Sequence, residues 1–164
     1  MKKTLILICL SVIAILGSFT TSSKGYMEDK ANGMRIMYYE MKVGTAQVKQ
    51  NEKDMKTSIV KNGDKIYIYL TGVDGFIPKD GSSSVFPACE VTVTDINNNV
   101  LYESGNVLAD AVGTRGVSIA DAKFLSSNFT IGEKWPAGVY KWEVKFWDLN
   151  GPGVILSDMK ITKK

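Results

Sequence analysis

The sequence predicts an all-β protein, a single antiparallel β-sandwich of about seven strands. Three observations carry that expectation. Apolar residues recur with a period of two from residue 65 onward, clusters of Gly, Asn, Asp and Pro separate the alternating runs, and a single short stretch of the later chain asks for helix. The chain has 164 residues, enough for one core of ordinary size and too few for two.

The first residues read as a secretory signal peptide. Lys2 and Lys3 give a positive start of bacterial type, residues 5–16 are apolar apart from Cys9 and Ser11, and residues 18–23 are small and polar apart from Phe19. The apolar run falls short of the ~20 residues that a membrane span needs. Thr21 and Ser23 suit the two small-residue positions of a cleavage site before Lys24. Cys9 lies in the middle of the apolar run and does not mark a lipid anchor. The expected organisation is therefore a signal peptide at 1–23 and one domain at 24–164, with 24–60 the stretch whose structure is least defined. The expected location is secreted or periplasmic, with no membrane span after cleavage.

Removing that segment changes the charge. The whole chain has 20 Lys and Arg, 17 Asp and Glu, and no His. Without Lys2 and Lys3 the balance is 18 against 17, which gives no support for a nucleic-acid partner; that would call for a clustered basic face. The absence of His excludes Ser-His-Asp and Cys-His catalysis as usually built, and zinc sites with imidazole ligands. Paired carboxylates remain open but are generic. Cys89 alone cannot form an internal disulfide.

The elements follow in order. Residues 34–43 suggest a first strand, with 45–48 continuing it past Gly44. Residues 50–56 are charged and read as a solvated loop; a helix over this region lacks a sustained apolar spacing of three and four. Lys65–Thr71 places Ile66, Ile68 and Leu70 on one face and Tyr67 and Tyr69 on the other. Residues 89–95 put Cys89, Val91 and Val93 opposite Glu90, Thr92 and Thr94. A turn at Asp95-Ile96-Asn97-Asn98-Asn99 leads back into Val100–Glu103. Ser118-Ile119-Ala120-Asp121 has a helix-capping pattern and predicts one or two turns of helix. Strands follow at 124–131, Gly138–Asp148 and 154–161. In the second of these Tyr140, Trp142, Val144 and Phe146 alternate with Lys141, Glu143 and Lys145.

One local pattern sharpens the fold. Trp135-Pro136-Ala137-Gly138-Val139-Tyr140 leads into the strand at 138–148. This Pro-x-Gly-x-Tyr run resembles the corner at the start of strand F in immunoglobulin-like and fibronectin-type domains. The resemblance implies that the Tyr140 hydroxyl ties back to the backbone and that Trp142 and Phe146 fill the core. It covers the last third of the chain and names a superfold; it implies no activity.

Candidate sites lie in loops. If consecutive strands run antiparallel, loops 73–87, 104–123 and 149–153 meet at one end. That end carries Asp74, Asp80, Asp110, Asp121 and Asp148 against Lys79 and Arg115, with Phe76 and Ile77 among them. The carboxylates also read as plain turn and cap residues, and none has the spacing of a calcium loop. Phe76 and Ile77 read either as an anchor for a partner or as a plug over the end of the sandwich. Tyr67 and Tyr69 read either as a surface for stacking sugars or a partner, or as mutual support across the sheet; Trp147 is similar. Cys89 shares a face with Val91 and Val93 and reads as an inert buried thiol. Asn128-Phe129-Thr130 matches a glycosylation acceptor but falls in a strand of a chain with a bacterial-type start.

The functional expectation is an exported, non-catalytic binding module, with no cofactor or metal, engaging another envelope or extracellular protein. Asp74, Phe76, Ile77, Asp80, Asp110, Arg115 and Asp148 are its candidate binding residues. The alternatives are a small-ligand or carbohydrate-binding module, a proteinase-inhibitor-like module and, last, a carboxylate enzyme.

Overall fold

The computed structural model describes residues 23–164. The signal peptide read from the sequence lies, but for Ser23, outside the described residues. The strands are β1 (Lys24–Asp29), β2 (Met34–Tyr39), β3 (Thr45–Gln50), β4 (Lys53–Asp54), β5 (Ile59–Val60), β6 (Lys65–Thr71), β7 (Ser84–Val85), β8 (Pro87–Asp95), β9 (Val100–Glu103), β10 (Val117–Ser118), β11 (Phe124–Thr130), β12 (Gly138–Asp148) and β13 (Val154–Lys163). Two single-turn helices, α1 (Ala109–Val112) and α2 (Ile119–Ala122), lie between β9 and β11. Among the described residues no helix is long and apolar enough to cross a membrane.

Two antiparallel sheets face each other. The larger runs β1-β2-β13-β12-β8-β9, with β5 added parallel to β13. The smaller runs β11-β6-β3-β4. Taking β12 as strand F of an immunoglobulin domain makes β13 strand G and β8 strand C, facing a sheet of β3, β6 and β11 in the places of A, B and E. The place of strand D is taken by the connection with the two helices, and the hairpin β1–β2 extends the sheet beyond G.

The core forms because the inward phases of the two sheets meet. Trp142, Phe146, Ile155 and Ile161 of the larger sheet and Ile66, Ile68 and Leu70 of the smaller are all buried in one cluster. Burying such side chains contributes ~1.5–3 kcal/mol each. Lys141 and Glu143, on the other phase of β12, stay in reach of water and pair with each other at 2.7 Å.

The corner expected from Pro136-x-Gly138-x-Tyr140 is present. The Tyr140 hydroxyl donates to the Pro136 carbonyl at 2.5 Å. Lys163, at the end of β13, reinforces the same turn. It is buried, and its ammonium donates to the carbonyls of Gly132, at 2.9 Å, and of Trp135. A charge is tolerated there because carbonyl dipoles replace its water.

The N-terminal region departs from the sequence reading. Residues 34–43 are not one strand. β2 ends at Tyr39, Glu40 takes a left-handed backbone at φ 53°, and the chain crosses to the other sheet before β3. The crossing is held by Lys42, which exchanges backbone hydrogen bonds with Asp74 at 2.9 and 3.1 Å. It depends on Gly75, where φ is +105° and a Cβ would lie 2.7 Å from the Glu40 carbonyl oxygen. Residues 50–56 are largely exposed, as expected of a charged segment, but form a hairpin rather than a loop. Asn51 and Glu52, both at positive φ, form a two-residue hairpin turn between β3 and β4, and Met55 is buried. β1 has no counterpart in the sequence reading; Asn32-Gly33, with Gly33 at φ +79°, is the turn signal that marks its hairpin.

Candidate functional site

Three long loops meet at one end of the sandwich. Backbone bonds carry much of the joint: Leu149 N–H donates to Phe86 O at 3.0 Å and Val73 N–H to Lys123 O at 3.1 Å, while Val107 N–H ties the helical connection to β8 at Cys89 O, 2.8 Å away. The two-residue strands β7 and β10 pair antiparallel and tie the first loop to the helical connection. Asp148 supplies the side-chain joint. Its carboxylate accepts Ile77 N–H at 2.7 Å and Asn150 N–H at 3.0 Å. Asn150 in turn donates through its amide to Ile77 O at 3.3 Å.

The candidate residues divide by this geometry. Ile77 is 45% exposed, and Asp80, Asp110 and Arg115 are exposed. Asp74 is exposed, and its carboxylate accepts the N–H of Gly75 at 2.9 Å. Phe76 is partly buried against the core cluster, so it covers the end of the sandwich. Asp148 corrects the reading of it as a loop residue facing a partner: it is 3% exposed and engaged in holding loop 73–87. Ser118 caps α2, its hydroxyl accepting the Asp121 N–H at 3.1 Å; Asp121, in the first turn of the helix, accepts from that hydroxyl through its carboxylate at 2.6 Å. Val107 and Leu149, which the sequence reading passed over, expose apolar side chains at the same end. Leu149 had a signal, an apolar residue inside an Asp-x-Asn-Gly-Pro-Gly turn cluster.

The opposite turn is self-contained. Asp95 accepts from Asn97 N–H, Asn99 N–H and the Asn99 amide at 2.7–2.9 Å, with Asn98 at φ 65°. The Asn99 side-chain amide, then the backbone N–H groups, hold its carboxyl below the usual carboxylate range.

Cys89 is fully buried. Burial pushes its thiol up to about 12, with the nearby Ser127 hydroxyl opposing weakly. The folded protein therefore keeps a proton that the unfolded chain loses above about pH 9, and stability falls as pH rises from there toward 12. At pH 8 a disulfide reagent should leave Cys89 unmodified in the native protein and label it after denaturation, as read by peptide mapping. Prompt native labelling would show an open path to the thiol.

The outer face of the smaller sheet holds the other feature of note. Tyr67 and Tyr69 stack with ring centroids 5.9 Å apart and planes 7° apart, and Phe124 of β11 extends the row at 6.0 Å from Tyr69. Register brings Phe124 there, since it pairs with Thr71, two residues beyond Tyr69.

Fold and site together define an immunoglobulin-like β-sandwich with its long loops gathered at one end. No protein-family model and no curated protein sequence matches the chain. Among solved structures it is similar to the C-terminal domain of Wzt, at 8% identity over 88% of this chain and 79% of that one, with a TM-score of 0.47. It is also similar to the soluble domain of PmoD from Methylocystis sp. ATCC 49242 (Rockwell), at 8% identity over 85% of this chain and 96% of that one, with a TM-score of 0.36.

Proposed function

We propose that this protein is an exported, non-catalytic binding module that engages another envelope or extracellular protein through the loop end of its sandwich. The observation that carries the reading is the joint at Asp148, which holds loops 73–87 and 149–153 in one arrangement while Ile77 and Leu149 stay exposed beside it. A pre-ordered surface loses less entropy on binding than mobile loops would. Exposed apolar side chains grouped within a polar rim mark surfaces for a protein partner. Asp74, Asp80, Asp110 and Asp121 stand there beside Lys42, Lys79, Arg115 and Lys123, a charged rim of both signs around the apolar pair, which suits a partner of complementary charge pattern.

Export rests on the order of charge, apolar run and small polar residues in 1–23. The mature protein should begin between residues 19 and 26 by mass spectrometry; recovery with Met1 in a membrane pellet would replace export with anchoring. For binding, the immobilised protein is exposed to an envelope extract, and a captured protein is identified and then purified. The Ile77→Glu, Leu149→Glu double variant should lose that partner while unfolding at the same temperature as the parent. Undiminished capture by the double variant would remove the loop end as the surface used.

A further inference from the structure

The aromatic row on the smaller sheet is a second surface, on the outer face of the strands; it borders the loop end at Phe124, which follows Lys123, but its reading does not rest on that end. Its composition is unusual for a solvated face. Phe124 is 52% exposed, although the inward phase of the same strand holds Leu125 and Phe129 in the core. An exposed Phe continuing a row of two stacked Tyr rings gives up the stabilisation of burial and adds nothing to the core.

Around the rings the side chains are hydroxyls, amides and amines. Register sets Gln47 and Ser126 on either side of Tyr69, and Lys49 and Asn128 on either side of Tyr67. Lys49 and Lys65 hold their ammonium groups 5.4 and 5.6 Å from the centroids of Tyr69 and Tyr67. Among the described residues neither ammonium has a carboxylate partner. The acid at the border, Asp54, accepts the Gln47 amide at 2.8 Å and lies 3.8 Å from Lys56. A shallow trough of about 660 Å³ runs over Tyr69 between Thr45 and Phe124.

A ligand matched to this face must be flat and apolar enough to stack on a ring, carry hydroxyls at its edge, repeat along a line, and bear negative charge. Pyranose rings of an acidic polysaccharide meet all four conditions. Their C–H faces stack on aromatic rings, their hydroxyls bond to amides and alcohols, and their carboxylates pair with ammonium groups. Single-stranded nucleic acid also stacks on aromatic rows, but it carries a charge at every residue and is bound in grooves of matching positive charge; two lysines beside a row of three rings do not supply that.

We infer that the outer face of the smaller sheet binds an extended acidic polysaccharide, with Tyr67, Tyr69 and Phe124 as the stacking platform and Lys49 and Lys65 as its charge partners.

The test is affinity electrophoresis of the protein produced from the full-length chain, in gels containing sodium polygalacturonate, sodium alginate, a neutral β-glucan or no polymer. The acidic polymers should retard the protein and the neutral one should not. Tyr69→Ser and Phe124→Ser should each weaken retardation about tenfold, and the Lys49→Gln, Lys65→Gln pair should remove its dependence on salt. Thermal unfolding of each variant shows that the fold is intact. The Ile77→Glu, Leu149→Glu variant should be retarded like the parent, which separates this surface from the loop end. The proposal is overturned by no retardation in either acidic polymer, by preference for the neutral one, or by equal retardation of folded Tyr69→Ser. Equally tight binding of a thymidine oligonucleotide would replace it with a nucleic-acid site. Self-association in sedimentation that Tyr69→Ser abolishes would replace it with an interface between copies.

Discussion

Trp142→Ala should cost about 3–5 kcal/mol of stability in chemical denaturation. Trp142 is the largest of the fully buried side chains, at 0% exposed. It sits on β12 at the middle of the larger sheet, paired with Met159 on one side and Val93 on the other. Removing it leaves a cavity lined by strands on both sides, which cannot close without breaking ladders. Glu143→Ala, one residue along on the solvent phase, should stay within ~0.5 kcal/mol, because the Lys141–Glu143 pair is exposed enough for water and salt to screen it. Trp142→Phe separates two contributions. The indole N–H is buried with no hydrogen-bond partner in the protein, and Phe removes that unsatisfied donor while keeping most of the volume, so it should cost far less than Ala. Equal costs for Trp142→Ala and Glu143→Ala would mean that β12 sits in the other register.

Asp148→Ala should cost about 2–3 kcal/mol, and its effect should concentrate at the loop end. Its carboxylate is the acceptor for Ile77 N–H and Asn150 N–H; bonds to a charged acceptor contribute ~1.5–3 kcal/mol, and donors left without one cost ~1–3. Gly151 packs so closely on this group that a Cβ there would lie 2.8 Å from Oδ2, so the surrounding turn has no slack to supply a substitute acceptor. Hydrogen exchange should accelerate at the amides of 75–78 and 149–151 while the strands of the core remain protected. Asp148→Asn keeps one acceptor oxygen and should lie between the parent and Ala. An Ala variant with parental stability and unchanged exchange in both loops would show that the backbone bonds alone hold them together.

These two residues show how differently the sequence exposes core and site. Trp142 is legible because a strand in a sandwich has one buried face, so a run of aromatic and β-branched residues at every second position declares both strand and register. Asp148 ends the same run and lies on the same inward phase as Trp142 and Phe146. Followed by Leu-Asn-Gly-Pro-Gly, it reads as an ordinary turn carboxylate. Its burial comes from Ile77, 71 residues away. The convergence of the loops was nonetheless legible, since antiparallel order alone dictates which loops share an end. Their internal contacts were not.

By itself the sequence determined the all-β class, the tyrosine corner, the two-faced character of β6, β8 and β12, and the burial of Cys89. All of these rest on local alternation or on bonds between residues close in the chain, such as Tyr140 to Pro136. The tertiary structure decided the rest. Only the sheet switch at residues 40–44 divides the apparent strand 34–43, because Glu40 adopts positive φ against a glycine 35 positions later. Only the folded chain buries Lys163, since its partners are carbonyls of a turn some 30 residues upstream. Only the pairing of β11 with β6 adds Phe124 to Tyr67 and Tyr69. Each of these depends on the register between segments distant in sequence, and alternation within a strand specifies which face a residue takes but not which residue lies opposite.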